Sequence, residues 1–283
     1  NIKKILVYDI RNKKIKVIDR IKDNSNDEAF YISWKNREEV AYIKSIKGKN
    51  FIINNNTITN KKEYKSLERF ERVSGFSYNS NESLIAVSGS INNQKDIYLL
   101  SANSSNMKKI TDDEFDDIYP KFFKNSTSIA FSSNRNNSNL NEKDNFSEFN
   151  ESYNIFLYNL DTTTNELVQL TNELNNNIKI KTLSNNEVLF LSDKKGIFNL
   201  YKQKISSNSI QTTDFNTDII NFDYDESDKK LIFNSLSNGE IIISEIEDSN
   251  INQSEFGNQT ARIDYIQLQK SLEKNEAIVK SEK

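Results

Sequence analysis

Histidine and cysteine are both absent from this chain of 283 residues. Without histidine there is no Ser-His-Asp triad, no imidazole general base and no His-ligated zinc or manganese. Without cysteine there are no disulfides, thiolate metal sites or thiol nucleophiles. Only carboxylate- or lysine-based catalysis stays formally open. Proline occurs once and glycine six times, so asparagine, aspartate and serine must supply the turns. No apolar run approaches the roughly 20 residues that cross a bilayer as a helix. The formal net charge is only −3, from 38 basic and 41 acidic residues, so no strong field of either sign attracts nucleic acid.

What remains is polar but not disordered. Hydrophobic residues make up 35% of the chain, below ordinary usage, with Asn and Lys in their place. Aromatics still reach 11%, and the apolar residues fall in short, regular runs, which opposes disorder. The chain starts at Asn1 without a signal-peptide pattern, and is read as a processed chain or an excerpt of a longer one.

The runs repeat. One reads Glu39-Val40-Ala41-Tyr42, Leu84-Ile85-Ala86-Val87, Ser128-Ile129-Ala130-Phe131, Glu187-Val188-Leu189-Phe190 and Lys230-Leu231-Ile232-Phe233, with steps of 45, 44, 59 and 43 residues. A second reads Ile5-Leu6-Val7-Tyr8, Phe51-Ile52-Ile53, Ile97-Tyr98-Leu99-Leu100, Ile155-Phe156-Leu157-Tyr158, Leu200-Tyr201 and Ile241-Ile242-Ile243, with steps of 46, 46, 58, 45 and 41. Both series give one period and put the enlargement in the same repeat. An aromatic or apolar segment precedes each first run, as at Gly75-Phe76-Ser77-Tyr78. A short strand near a threonine follows the second, as at Lys109-Ile110-Thr111, Gln169-Leu170-Thr171 and Ile210-Gln211-Thr212. Four short strands in 40–45 residues is the blade unit of a propeller, an all-β fold. The expectation is six four-stranded antiparallel blades over residues 1–260. Residues 1–20 form the outer half of a split blade, and 261–283 a strand, helix or linker, with Arg262–Leu268 a possible closing strand.

Ser128-Ile129-Ala130-Phe131-Ser132-Ser133-Asn134-Arg135, and Asp96-Ile97-Tyr98-Leu99 leading to Lys109-Ile110-Thr111-Asp112, resemble the repeats of the TolB-type propeller family. The resemblance spans about residues 29–247. The family's Pro-Asp-Gly turn is replaced by Asn/Ser clusters. The resemblance implies a non-catalytic scaffold that binds protein or peptide partners in the bacterial cell envelope, without a cofactor and with further domains in the parent chain. Propellers of prolyl-oligopeptidase-like peptidases are also similar, and imply a substrate-gating domain instead.

Candidate sites are few. The enlarged repeat carries a loop over 136–152 in which Asp144, Phe146 and Phe149, with Tyr153 beside it, offer aromatics among carboxylates for a partner. Arg135 follows the most family-like strand and suits either an acidic partner group or a neighbouring carboxylate. Asp112, Asp113 and Asp116 are weak calcium candidates. They lack the spacing of an EF-hand loop, and a solvated connection explains them as well.

Overall fold

The structure, a computed structural model, describes residues 2–22, 31–124, 127–138, 140, 152–161, 167–184, 186–247, 264 and 268. Its contacts divide the chain into two compact units, Asn1–Phe122 and Phe123–Lys283. Apart from single helical positions at Asp264 and Leu268, the regular structure described is β-strand.

The first unit opens with β1 (Ile2–Asp9) and β2 (Lys14–Lys22), a two-stranded antiparallel sheet. A blade follows: β3 (Ile32–Trp34), β4 (Glu39–Ile46), β5 (Lys49–Asn56) and β6 (Lys62–Ser66). The next blade is β7 (Arg72–Tyr78), β8 (Leu84–Ile91), β9 (Gln94–Ser101) and β10 (Met107–Lys109), and β11 (Asp117–Phe122) ends the unit. The second unit holds β12 (Ser128–Ser133), β13 (Asn154–Asn159) and β14 (Val168–Gln169). It continues with β15 (Asn177–Thr182), β16 (Glu187–Ser192), β17 (Asn199–Lys204) and β18 (Ile210–Gln211), then β19 (Ile219–Asp225), β20 (Lys230–Ser237) and β21 (Glu240–Glu247). Strand order in every sheet is chain order.

The first run of each repeat is thus the second strand of a blade, and the second run is the third strand. Six complete blades were expected. The correction is to five: β3–β6, β7–β10, β11–β14, β15–β18 and β19–β21, the last with three strands among the described residues. The physical reason is that β1 and β2 have only each other as ladder partners among the described residues. The closing strand expected within Arg262–Leu268 lies outside the described residues, except for the helical positions Asp264 and Leu268.

Second strands of the middle blades are buried on both faces. In β8 the six residues from Ile85 to Ser90 are all buried, and in β12 so are Ile129–Ser133. That is why these strands read as unbroken apolar runs rather than as alternation. Each core cluster is shared by successive blades. Ala41 and Ile52 pack with Phe76, Ile85, Val87 and Tyr98. In the other unit, Ala130, Ile155 and Leu157 pack with Ile180, Val188, Phe190 and Tyr201, and Leu189 and Leu200 pack with Leu231 and Phe233. Two-residue hairpins at Lys47-Gly48, Asn92-Asn93 and Asn238-Gly239 hold both residues at positive φ, the mirror-image turn whose twist matches its flanking strands.

Candidate functional site

The densest polar chemistry is a junction built three times. In the second unit Asn154 begins β13. Its Oδ1 accepts hydrogen bonds from Thr171 Oγ1 at 2.9 Å and from the Glu173 amide at 3.0 Å. Its Nδ2 donates to the Glu173 carbonyl at 3.0 Å, and Thr171 Oγ1 accepts from the Ile155 amide at 2.8 Å. Asn199 does the same with Thr213, Phe215 and the Leu200 amide at 2.8–3.1 Å. One side chain therefore locks the third strand to the segment leaving the fourth. Asn177, which starts the next blade, adds Nδ2 to Asn154 Oδ1 at 3.2 Å.

The first unit repeats this junction with acids. Asp96 stands where Asn154 and Asn199 stand, and Asp117 where Asn177 stands. Thr111 Oγ1 takes the Ile97 amide at 2.9 Å and reaches Asp96 Oδ1 at 3.4 Å. The Asp113 amide also reaches Asp96 Oδ1 at 3.4 Å. Carboxylate oxygens of Asp96, Asp113 and Asp117 come within 4.8 Å of one another, with Asp96 and Asp117 fully buried. Lys109 supplies a cation, with Nζ 2.8 Å from Asp96 Oδ2. Burial nevertheless prevails over that ion pair and pushes the Asp96 carboxyl up to about 7. The cluster is the acidic form of a repeated structural joint, and its chemistry is that of a buried carboxyl rather than of an open catalytic pocket.

The residues singled out in the sequence are dispersed. Asp112 is exposed and pairs with Lys109, while Asp116 pairs with Lys95 at 2.7 Å, so neither joins Asp113 in one cluster. Asp96 and Asp117 join Asp113 instead. Arg135 is fully buried; its Nε donates to Ser133 Oγ at 3.0 Å and its guanidinium lies 5.6 Å from the Phe156 ring centroid and 5.9 Å from that of Phe131. Tyr153 is partly buried, and its backbone bonds both Asn176 and Asn177. Asp144, Phe146 and Phe149 lie outside the described residues.

Exposed apolar side chains gather on two sheets: on β1–β2, where Leu6 stands opposite Val17 and Tyr8 opposite Ile15, and on blade five. The pairs Leu236↔Ile241, Asn234↔Ile243 and Ile232↔Glu245 stand directly opposite across β20 and β21 and so share a face. On it Ile243 is 75%, Ile241 63% and Leu236 51% exposed. The opposite face, with Leu231 and Phe233, is packed into the core. An open cleft of about 390 Å³ borders the exposed face, lined by Ile197, Asn216, Thr217, Asp218, Ile220 and Leu236. A clustered apolar face of this kind marks interaction surface more often than solvated sheet. Sequence reading passed over it because Ile241-Ile242-Ile243 looks like any other third strand.

No protein-family model matches the chain. No curated protein matches it in sequence. Solved structures do match in fold. TolB from Acinetobacter baumannii superposes with a TM-score of 0.67 at 13% identity, over 87% of this chain and 57% of that one. A protein assigned as TolB from Agrobacterium tumefaciens gives 0.66 at 14% identity, over 88% and 86%. A puromycin hydrolase gives 0.56 at 9% identity, over 84% of this chain but 39% of that one. The chain therefore spans little more than half of the Acinetobacter protein. The fold is an all-β propeller that resembles the TolB-type propeller, with five blades.

Proposed function

We propose that this chain is a non-catalytic propeller module that binds protein or peptide partners in the bacterial cell envelope. The observation that carries this reading is the exposed apolar face of β20 and β21 beside an open cleft, on a chain without histidine or cysteine. Rigid blades keep such a surface in place at little entropic cost on binding. The fold likeness to TolB supports the envelope context. Placing a photo-crosslinking amino acid at Ile243 in the intact parent protein tests it. Crosslinks to one protein in envelope fractions, lost when Leu236 and Ile241 become lysine, are expected. No protein adduct, or adducts unaffected by the two lysines, would overturn it.

A second reading, a substrate-gating propeller of a serine peptidase, is favoured by the likeness to the puromycin hydrolase. A Gly-x-Ser-x-Gly segment with Asp and His downstream in the parent gene separates the two.

A further inference from the structure

The hairpin of β1 and β2 is basic. Residues 3–21 hold seven cations against two carboxylates, in a chain whose net charge is −3. Its inner face is fixed on the β3–β6 blade. Ile5, Ile18 and Ile21 are buried with Val40, Tyr42 and Ile53, and Lys16 Nζ donates to the Thr57 carbonyl. Both carboxylates are engaged away from the outer face. Asp9 closes the turn by accepting from the Asn12 amide at 3.0 Å, and Asp19 is held by Lys44, Lys62 and Tyr42 of the neighbouring blade.

On the outer face, cations and apolar side chains converge. Alternation along β1 puts Lys4, Leu6 and Tyr8 on that face, and the ladder sets them directly opposite Arg20, Val17 and Ile15. All six are exposed, Ile15 by 66%. Lys4 and Arg20 form one end of the face. At the other end the turn presents exposed Ile10, Arg11 and Lys13. The apolar patch thus lies between two basic ends, about 20 Å apart along the strand, and no carboxylate shares the face. Like charges in direct opposition, as Lys4 and Arg20 are, destabilise a ladder. A negative surface laid on this face relieves that repulsion.

We propose that the outer face of β1 and β2 docks on an anionic lipid bilayer. Leu6, Tyr8, Ile15 and Val17, with Ile10 at the tip, enter the boundary between headgroups and acyl chains, while Lys4, Arg20, Arg11 and Lys13 stay among the lipid phosphates. Tyrosine suits that depth, with an apolar ring and a polar end. A bilayer is favoured over an acidic protein because one expanse of phosphates meets both basic ends at once, with no carboxylates to be matched in position. The proposal goes beyond the partner-binding reading, since it concerns a different sheet and a different class of ligand.

The absence of cysteine lets single labels be placed without background. Ile15→Cys and Ile243→Cys, each carrying an environment-sensitive fluorophore in the full chain, are titrated with vesicles of phosphatidylcholine, either pure or with about 30% phosphatidylglycerol. The label at position 15 is expected to shift to the blue on the anionic vesicles only, and the label at 243 to stay unchanged. Binding should weaken at least about tenfold as salt rises from about 0.05 M to about 0.5 M. The Lys4→Glu, Arg20→Glu double variant should lose at least about tenfold in vesicle affinity. Lys4→Glu alone turns a like-charge pair into an opposite-charge pair, so it should weaken vesicle binding without lowering the melting temperature. Equal binding to both vesicle types, no binding, or a shift at 243 instead of 15 would overturn the proposal. So would a label at 15 already blue without lipid, which indicates cover by the chain itself or by a second copy. A shift at 15 produced as strongly by soluble polyglutamate would assign the face to an acidic protein instead. Each of these failures leaves the Ile243 crosslink, and with it the partner-binding reading, untouched.

Discussion

Replacing Asp96 by asparagine should stabilise this protein, and more so as the pH rises. Asp96 is fully buried, and the equivalent residues Asn154 and Asn199 fill the same joint with an amide. At the Asn154 joint the neighbouring Asn177 donates a hydrogen bond at 3.2 Å. At the acidic joint Asp117 takes that place, so two carboxyls meet where an amide pair meets in the other unit. Burial holds the Asp96 carboxyl at about 7 against an ordinary 3.8. The native state therefore keeps a proton that the unfolded chain has released. The contribution of Asp96 to stability is greatest below about pH 4 and falls until about pH 7, by up to roughly 4 kcal/mol. Asp96→Asn removes the titration and restores a donor toward the Asp113 carbonyl, at the cost of the Lys109 ion pair. Thermal unfolding of both proteins, followed by circular dichroism from about pH 4 to pH 8, reads the difference. The two should melt close together at the acid end, with the variant up to roughly 10 °C higher at the alkaline end. A difference independent of pH, or one that grows toward acid, would refute the reasoning.

Asp19 should behave in the opposite sense. Burial alone would raise it, but Lys44 Nζ at 2.9 Å, the Tyr42 hydroxyl at 2.8 Å and Lys62 Nζ at 3.1 Å hold it down to about 2. Asp19→Asn should cost roughly 2 kcal/mol near neutral pH, and denaturant titrations should show that cost vanishing as pH falls from about 4 to about 2. Thr213→Val removes the hydroxyl that accepts the Leu200 amide at 2.9 Å, leaves that buried donor unmatched and should cost about 1–3 kcal/mol by the same titration. Gly89→Ala places a methyl carbon 2.8 Å from Phe70 Cε1, in a ring that packs edge-on to Tyr98, and should lower stability by about 1–3 kcal/mol. An unchanged unfolding midpoint in either of the last two variants would remove the contact in question from the account.

Strand identity was legible in the sequence because a period carries its own check. The anchors at Val40, Ile85, Ile129, Val188 and Leu231 all fall in second strands, and those at Ile5, Phe51, Ile97, Ile155, Leu200 and Ile241 all fall in third strands or in β1. The blade count was not legible. Ile5 matches the repeat, but a match cannot show whether inner strands stand beside it, and among the described residues β1 pairs only with β2. The joints were half visible. Their threonines end the fourth-strand runs, yet their acceptors lie 14 to 17 residues earlier, because the intervening hairpin varies in length. In blade four the sequence pointed to Thr212, whereas Thr213 reaches Asn199. Arg135 illustrates the remaining limit. Its place after Ser133-Asn134 suggests a loop cation, and only packing against Phe131 and Phe156 reveals it as buried.

Amide hydrogen exchange of the unliganded full chain tests the central claim most directly, since that claim is a set of blades closed, among the described residues, by fourth strands in all but the last. Slow exchange shared by 85–88, 129–132 and 188–191, with 241–246 the fastest of the third strands, is the predicted result. Fast exchange throughout the second strands, or protection of 241–246 equal to that of Ile97–Leu100, would contradict it.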